Sequence, residues 1–420
     1  MIRNWAGNQE FTPRRVAFPA SVDEVRDLVA ATDTVGVLGA GHSFTDVVND
    51  RGTLVRLDRM PRRIVVDERR GSAVVSAGTT YTELAGVLHP KGWAVANLPS
   101  LPHITLGGAV ATGTHGSGVR LRSLADSVRA VRYVVAGGGL RTFSAADDPE
   151  HFPGTVVALG ALGVAVDYTI ALTPTFDVAQ SVRTGFTVDE VVRDLPAILS
   201  CAYSVSVFTD WSDQTNVFLK ERLDGPATTW PGGTRADRMI PHVPDGPTDG
   251  MTPQLAQPGP WFERLPHVLA DADLRAGTEL QSEYLVPAED APAAARAVRD
   301  RVAAISACLQ VSELRAIRAD EHWLSPAYDR DSVSLHFTWR WDPSAVRRAI
   351  EVVEEALRPF SPRPHWGKLH GMSAATLAGR YPRLDRFRAL VAEVDPAGTF
   401  RSPLVERLLA RAGATASMSD

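Results

Sequence analysis

Two hydrophobic periods divide this chain into helices and strands. Val22, Val25, Leu28 and Val29 recur at helical spacing behind Ser21, with Glu24 three residues on, so a capping box should open a helix over 21–30. Residues 80–88 read the same way. Between them, 35–38, 53–57, 64–66 and 73–77 are short apolar runs of strand character. The stretch from 1 to about 175 therefore predicts an α+β domain. A second region, about 176–375, adds strands at 203–209 and 217–220 and helices at 292–305 and 343–357. From 225 to 260 glycine and proline are dense and neither period holds. That stretch is either a surface excursion or a lid. Residues 411–420 predict a frayed tail.

Three small-residue loops carry the chemistry of the first region. Gly39-Ala40-Gly41-His42-Ser43-Phe44 follows the apolar 35–38 run, and glycines there let backbone N–H groups form an anion nest. Alone, such a turn with one histidine is most often only a tight turn. A second loop runs from Ser100 to Gly118, and a third, Leu159-Gly160-Ala161-Leu162-Gly163-Val164, precedes an alternating strand. Three loops exceed the needs of one phosphate and suit an extended dinucleotide. The Rossmann fingerprint fails because Phe44 stands where a third glycine should be, and no lysine completes a P-loop. His115 two residues before Ser117 excludes a nucleophile elbow.

The second region supplies side chains instead. Glu313 and Arg315 lie two apart, so on a strand both face one way, and His336 and Thr338 repeat that spacing between Leu335, Phe337 and Trp339. An exposed ion pair at that spacing would matter little. A sheet with one packed face and one polar face would suit a polyhydroxylated ligand, whose hydroxyls need partners once out of water.

Composition narrows the partners. The 420 residues can bury a full core, and 44% hydrophobic with 22% charged content is ordinary for a globular chain. A net charge of -5 gives no basic bias toward nucleic acid or an anionic membrane. Cys201 and Cys308 are too few for a disulfide framework or a thiolate metal site, and both read as buried small residues. No metal site is expected. With no signal-like segment or membrane-length apolar run, the expected location is the cytoplasm.

The ordered segments Gly41–Phe44, 100–118, Leu280-Gln281-Ser282-Glu283-Tyr284-Leu285, 336–339 and Arg363-Pro364-His365-Trp366-Gly367-Lys368 make the chain resemble the vanillyl-alcohol-oxidase flavoproteins, and within them the alditol oxidases. The likeness runs from Asn4 to Phe400. It implies a two-domain vanillyl-alcohol-oxidase/PCMH-type FAD-binding fold with an antiparallel-sheet substrate cap. FAD would be held by 1–175 and by a C-terminal return over 376–420, with 176–375 as the cap. The resemblance also implies a covalent bond from His42 to the flavin methyl carbon. Gly39, Ala40, Gly41, His42, Ser43, Phe44, Ser100, Thr105, Gly108, Ala109, Thr112, Gly113, Thr114, His115, Gly163 and Val164 are the implied cofactor cradle.

The activity so implied is oxidation of the terminal alcohol of a sugar alcohol such as xylitol or sorbitol, with O2 reduced to hydrogen peroxide. Arg315 and Lys368 would stabilise the developing alkoxide and His336 would serve as base or proton relay. Glu313, Gln281, Thr338 and Ser100 would hold the other hydroxyls. Whether a dedicated base exists stays open, as do the preferred polyol and the oligomeric state, for which a monomer suffices. One departure concerns Pro99, where alanine is expected beside the oxygen-reacting carbon. The rivals are an aldonolactone oxidase or dehydrogenase of the same fold, and a flavin-bearing binding protein without turnover.

Overall fold

A computed structural model describes residues 2–410 except 214, 227, 229–231 and 274–276. The tail expected at 411–420 lies outside the described residues. Two sheets organise the chain. In the first region, Leu140–Ser144, Val128–Val134, Val164–Ala171, Ser72–Ser76 and Ile64–Asp67 form an antiparallel five-stranded sheet in that order. Beside it, Arg15–Ala17, Thr53–Val55 and Val35–Val37 form a small parallel sheet with Thr53–Val55 in the centre.

The helices pack through the faces their spacing predicts. Ser21 caps Val22–Ala30, although Glu24 reaches back to the amide of Ala20 rather than to that of Ser21. The box at Thr80 and Glu83 closes fully over Tyr81–Leu88. The late helices Leu384–Val394 and Pro403–Leu409 send Phe387, Val391, Val405 and Leu408 into the same core as Val25, Leu84, Val131 and Tyr168. The return also ties the first loop down, because Val35 N–H donates to Thr399 O at 2.8 Å. Buried Asp395 braces that turn by accepting from the amides of Thr399 and Phe400.

The second sheet is antiparallel throughout. Its order is Thr234–Arg235, Asp177–Phe186, Thr215–Arg222, Ser204–Thr209, Leu309–Ile317, Ser332–Arg340, Glu279–Pro287 and Arg363–Pro364, with Pro258–Pro260 also pairing on Asp177–Phe186. Because side chains alternate across a strand, register decides its chemistry. Leu280, Tyr284, Leu314, Leu335, Phe337 and Trp339 share one core with the helices Val188–Ser200, Ala291–Arg299 and Pro343–Leu357. Residues one position over face the first region, and among them are Gln281, Glu283, Glu313, Arg315, His336 and Thr338.

Three expectations need correction. The helix expected over 292–305 ends at Arg299, and a 3-10 turn, Val302–Ala304, follows where Arg301 leaves helical geometry. The strand expected to reach residue 57 stops at Val55, because Leu57–Arg59 turns as a 3-10 helix. Cys201 is partly exposed, and only Cys308 is buried. Among the described residues of the irregular 225–260 stretch, Met239, Ile240, Val243 and Met251 lie on Val182, Phe208, Phe218 and Val311 and make it a cover over that edge of the sheet. No helix among the described residues is long and apolar enough to cross a membrane.

Candidate active site

A cavity of about 250 Å³ runs between the two regions, lined by the 39–44 loop, parts of 99–115 and 159–168, and the polar edge of the second sheet. The first loop is shaped by what its residues lack. A Cβ on Gly39 would lie 2.6 Å from Thr105 Oγ1, and Gly41 sits at φ +73°. The amides of residues 39–43 donate to no acceptor among the described residues, and all five residues line the cavity. Gly163 has φ +145°, and a Cβ there would meet Val134 O at 2.4 Å. The middle loop is not wholly irregular: Thr105 caps a short helix, Leu106–Ala111.

His42 projects from this nest, its ring stacked on Trp5 at 5.3 Å. Burial, reinforced by Lys368 and His103, lowers its pKa to about 4, so the imidazole is neutral at physiological pH. A neutral imidazole keeps the lone pair that a nucleophile needs.

The cap contributes a dense charge network. Arg315 Nη2 donates to Glu283 Oε1 at 2.6 Å and Nη1 to Ser100 Oγ at 3.2 Å, while Nε lies 3.5 Å from Glu313 Oε2. Both carboxylates are almost fully buried. Burial pushes their pKa values up, but Arg315, with His115 and His336 at Glu283 and His267 at Glu313, holds both well below the carboxylate range. Arg315 itself loses to burial but gains more from the two carboxylates, and its pKa is raised. Lys368 donates to Gln281 Oε1 and lies 5.4 Å over the Phe44 ring, with its pKa lowered to about 8, mainly by burial. His336 contacts Glu283 and Thr338 at 3.2 Å each, and burial, then Lys368, lowers its pKa.

Of the residues proposed from sequence, Gly39 to Phe44, Ser100, Thr105, Gly108, Ala109, Thr112, Thr114, His115, Gly163, Gln281, Arg315 and Lys368 line this one cavity, as does Pro99. Five do not. Gly113 is a left-handed turn against Pro326 and Val157, and Val164 points into the core. Glu313, His336 and Thr338 form the layer beneath Arg315 and Glu283.

Sequence reasoning passed over Glu283, which meets Arg315, His115 and His336 at once. The signal was present, since Glu283 stands two residues from Gln281 on one strand and opposite His336 on the next. His365, on the same cavity wall, was also passed over. Ligand atoms of His115, Glu283 and His365 converge within 4.8 Å. Arg315 already neutralises that carboxylate, and its charge opposes a cation there.

The residues present fit a flavin dinucleotide. The 39–43 amides suit a pyrophosphate, and the glycines leave room for it. Comparison with known proteins agrees. An FAD binding domain model matches residues 13–144, and a D-arabinono-1,4-lactone oxidase model matches 277–408. A solvent-stable cholesterol oxidase superposes with TM-score 0.77 over 97% of both chains at 19% identity. Fold and site thus define an FAD-dependent oxidoreductase of the vanillyl-alcohol-oxidase type. Alditol oxidase of Streptomyces sp. (strain IKD472 / FERM P-14339) is 43% identical over 416 residues, covering 97% of this chain and 99% of the relative. L-gulono-1,4-lactone dehydrogenase of Mycobacterium tuberculosis is 28% identical over 97% of this chain and 98% of its own. The chain belongs to the alditol oxidase family.

Proposed function

We propose that the protein oxidises the terminal primary alcohol of an alditol, such as xylitol or sorbitol, to the aldose and passes the electrons to O2. One observation carries this: Arg315, bracketed by two buried carboxylates, meets Ser100 at the wall of a cavity floored by an amide nest. FAD bound there supplies the hydride acceptor at N5 and returns the electrons to oxygen as hydrogen peroxide. Residues 1–175 and the return from 376 would hold it, with 176–375 as the cap.

Gly39 to Phe44, Thr105, Gly108, Ala109, Thr112 and Thr114 hold the cofactor, and neutral His42 is the residue to bond it covalently. Arg315 and Lys368 set two preorganised cations where the substrate oxygen becomes an alkoxide. His336, kept neutral by burial, stands behind the cavity wall against Glu283 and serves as the proton relay. Gln281 and Ser100 accept from or donate to the remaining hydroxyls, while Glu313 supports Arg315 and Thr338 holds His336 from behind the cavity wall. The hydrophilic substrate and the lack of a membrane-length helix among the described residues suit action in the cytoplasm.

A second reading, oxidation of an aldonolactone, is favoured by the lactone oxidase model over 277–408. Anaerobic mixing separates the two. Bleaching of the flavin band by xylitol and not by L-gulono-1,4-lactone is expected; bleaching by the lactone alone would reverse the assignment, and bleaching by neither would leave a flavin-bearing binding protein. Acid precipitation should leave the yellow colour with the protein, and His42→Ala should release it to the supernatant.

A further inference from the structure

Three titratable side chains beside the site have no part in that reading: buried Lys220, and His242 and His267, which keep a little exposure. Lys220 comes from a strand of the cap sheet, His242 from the irregular cover, and His267 from the segment after it that reaches the Ser100 loop. His267 N–H donates to Ser100 O at 2.9 Å, and its ring donates from Nε2 to Glu313 Oε1 at 2.8 Å. On its other side stands Lys220, buried on the neighbouring Thr215–Arg222 strand. Burial lowers its pKa to about 7, and in the ammonium form its three hydrogens meet three acceptors: Leu265 O, Pro266 O at 3.1 Å and His267 Nδ1 at 3.5 Å.

The contacts close a ring. Lys220 holds His267, His267 holds Glu313, Glu313 faces Arg315 Nε, Arg315 reaches Ser100 Oγ, and Ser100 O returns to the His267 backbone. An ammonium donating to Nδ1 leaves the imidazole proton on Nε2, directed at the carboxylate. Burying a lysine and a histidine is costly unless they are paired. Packing alone has no use for a lysine set against a histidine that in turn meets a carboxylate.

Building on the polyol-oxidase reading, we propose that His267, oriented by Lys220, is a positioning residue: it keeps Glu313 ionised and thereby fixes Arg315 against the substrate oxygen. Glu313 is faced by Arg315 on its own strand and by His336 across the strand pair. Behind it stand His267, with Lys220, and His242, whose ring lies 4.8 Å from that of His267. Arg315 and His336 remain in a His267 variant, so the missing donor is the change that Glu313 feels. Its pKa rises and an acid limb appears.

The test joins kinetics to a measurement that needs no substrate. H267F should lower the anaerobic rate of flavin reduction by xylitol roughly 10- to 100-fold, mostly in kcat, and move the acid limb of the rate upward. H267Q, whose amide can donate from the Nε2 position, should recover to within about 5-fold of wild type. K220M should fall between them. If H267F does not fold, the H267Q and K220M pair carries the test. In 15N-histidine NMR of the holoenzyme, with the His267 signal assigned by its loss in H267Q, the ring should be neutral and protonated at Nε2, and K220M should release that single tautomer. Unchanged kcat and pH profile in H267F and K220M, or a His267 protonated at Nδ1, would overturn the proposal. The NMR arm stands apart from the substrate: wild type inert to xylitol would refute the polyol reading while the tautomer still decides this one.

Discussion

The two walls of the cavity are built on opposite principles. On the flavin side, sequence works by subtraction: Gly39 and Gly163 are glycines because a Cβ would strike Thr105 or Val134, and the binding groups are backbone amides. On the cap side it works by addition, with Glu283, Glu313 and Arg315 set in a sheet face as mutual partners and Lys368 brought in by the loop after Arg363–Pro364 to meet Gln281. Backbone amides bind any phosphate wherever a chain can turn closely enough. Buried charges have value only in company, since each is costly without its partners. The first wall should therefore tolerate loss of any one side chain, and the second should fail as a unit.

The largest effect should come from breaking that unit. Arg315→Met leaves two carboxylates buried beneath the cavity without their cation. Loss of a buried partner typically costs about 3–5 kcal/mol of stability. Removal of a preorganised charge should lower the rate of flavin reduction about 10³-fold. Thermal unfolding and anaerobic stopped-flow absorbance check the two together. A variant with wild-type turnover would deny Arg315 its role.

Acid should expose the same design. Burial lowers the pKa of His336, His267, His365 and His242, and of His370 to about 4. A histidine with a depressed folded pKa binds its proton more readily when unfolded. Stability is then complete above the unfolded value of about 6.5 and declines as pH falls from there toward the folded pKa, by up to about 1.4 kcal/mol per pH unit for each such group. Glu283 and Glu313, also depressed, add their loss only below about pH 4.3. Melting temperature should drop steeply between pH 6.5 and 5, and H242F should make that drop shallower. An equal slope in H242F would mean that His242 is protonated in the fold.

On the flavin wall a smaller change is expected. Gly39→Val would press on the Thr105 side chain and narrow the nest. Flavin content should fall several-fold, while stability changes by no more than about 1–3 kcal/mol, the usual cost of overpacking. Absorbance at the flavin band relative to protein measures the first. Full flavin loading would show that the loop has more room than the Gly39–Thr105 approach suggests.

This contrast also explains what could be read before the fold was known. Glycine loops announce themselves within a dozen residues, because a nest is made by consecutive amides. The periodic helices Pro343–Leu357 and Tyr81–Leu88 were legible for the same local reason. Glu313 with Arg315, and His336 with Thr338, showed as pairs on strands. What joins them was hidden. Glu283, His267 and Lys220 lie 30 to 93 positions from Glu313 in sequence (283, 267 and 220 against 313), and only strand register and the path of the cover bring them together. The cover is aperiodic, and the segment after it, which places His267 between Ser100 and Glu313, does so only through tertiary contacts.

Pro99 lies where the two walls meet and offers the finest test of their independence. It lines the cavity next to Ser100, whose hydroxyl takes Arg315 Nη1 and whose carbonyl takes the His267 amide. Its ring contributes bulk but no donor, so replacing it should leave the charge network unchanged and alter only the space beside the cofactor. Pro99→Ala should speed re-oxidation of the reduced enzyme by oxygen about 3- to 10-fold, a barrier change near 1 kcal/mol, while the anaerobic rate with xylitol stays within about 2-fold. Stopped-flow runs of the two half-reactions separate these outcomes. If the reductive rate moves instead, Pro99 works by holding Ser100 in place for Arg315, and the loop belongs to the charged wall rather than to the amide one.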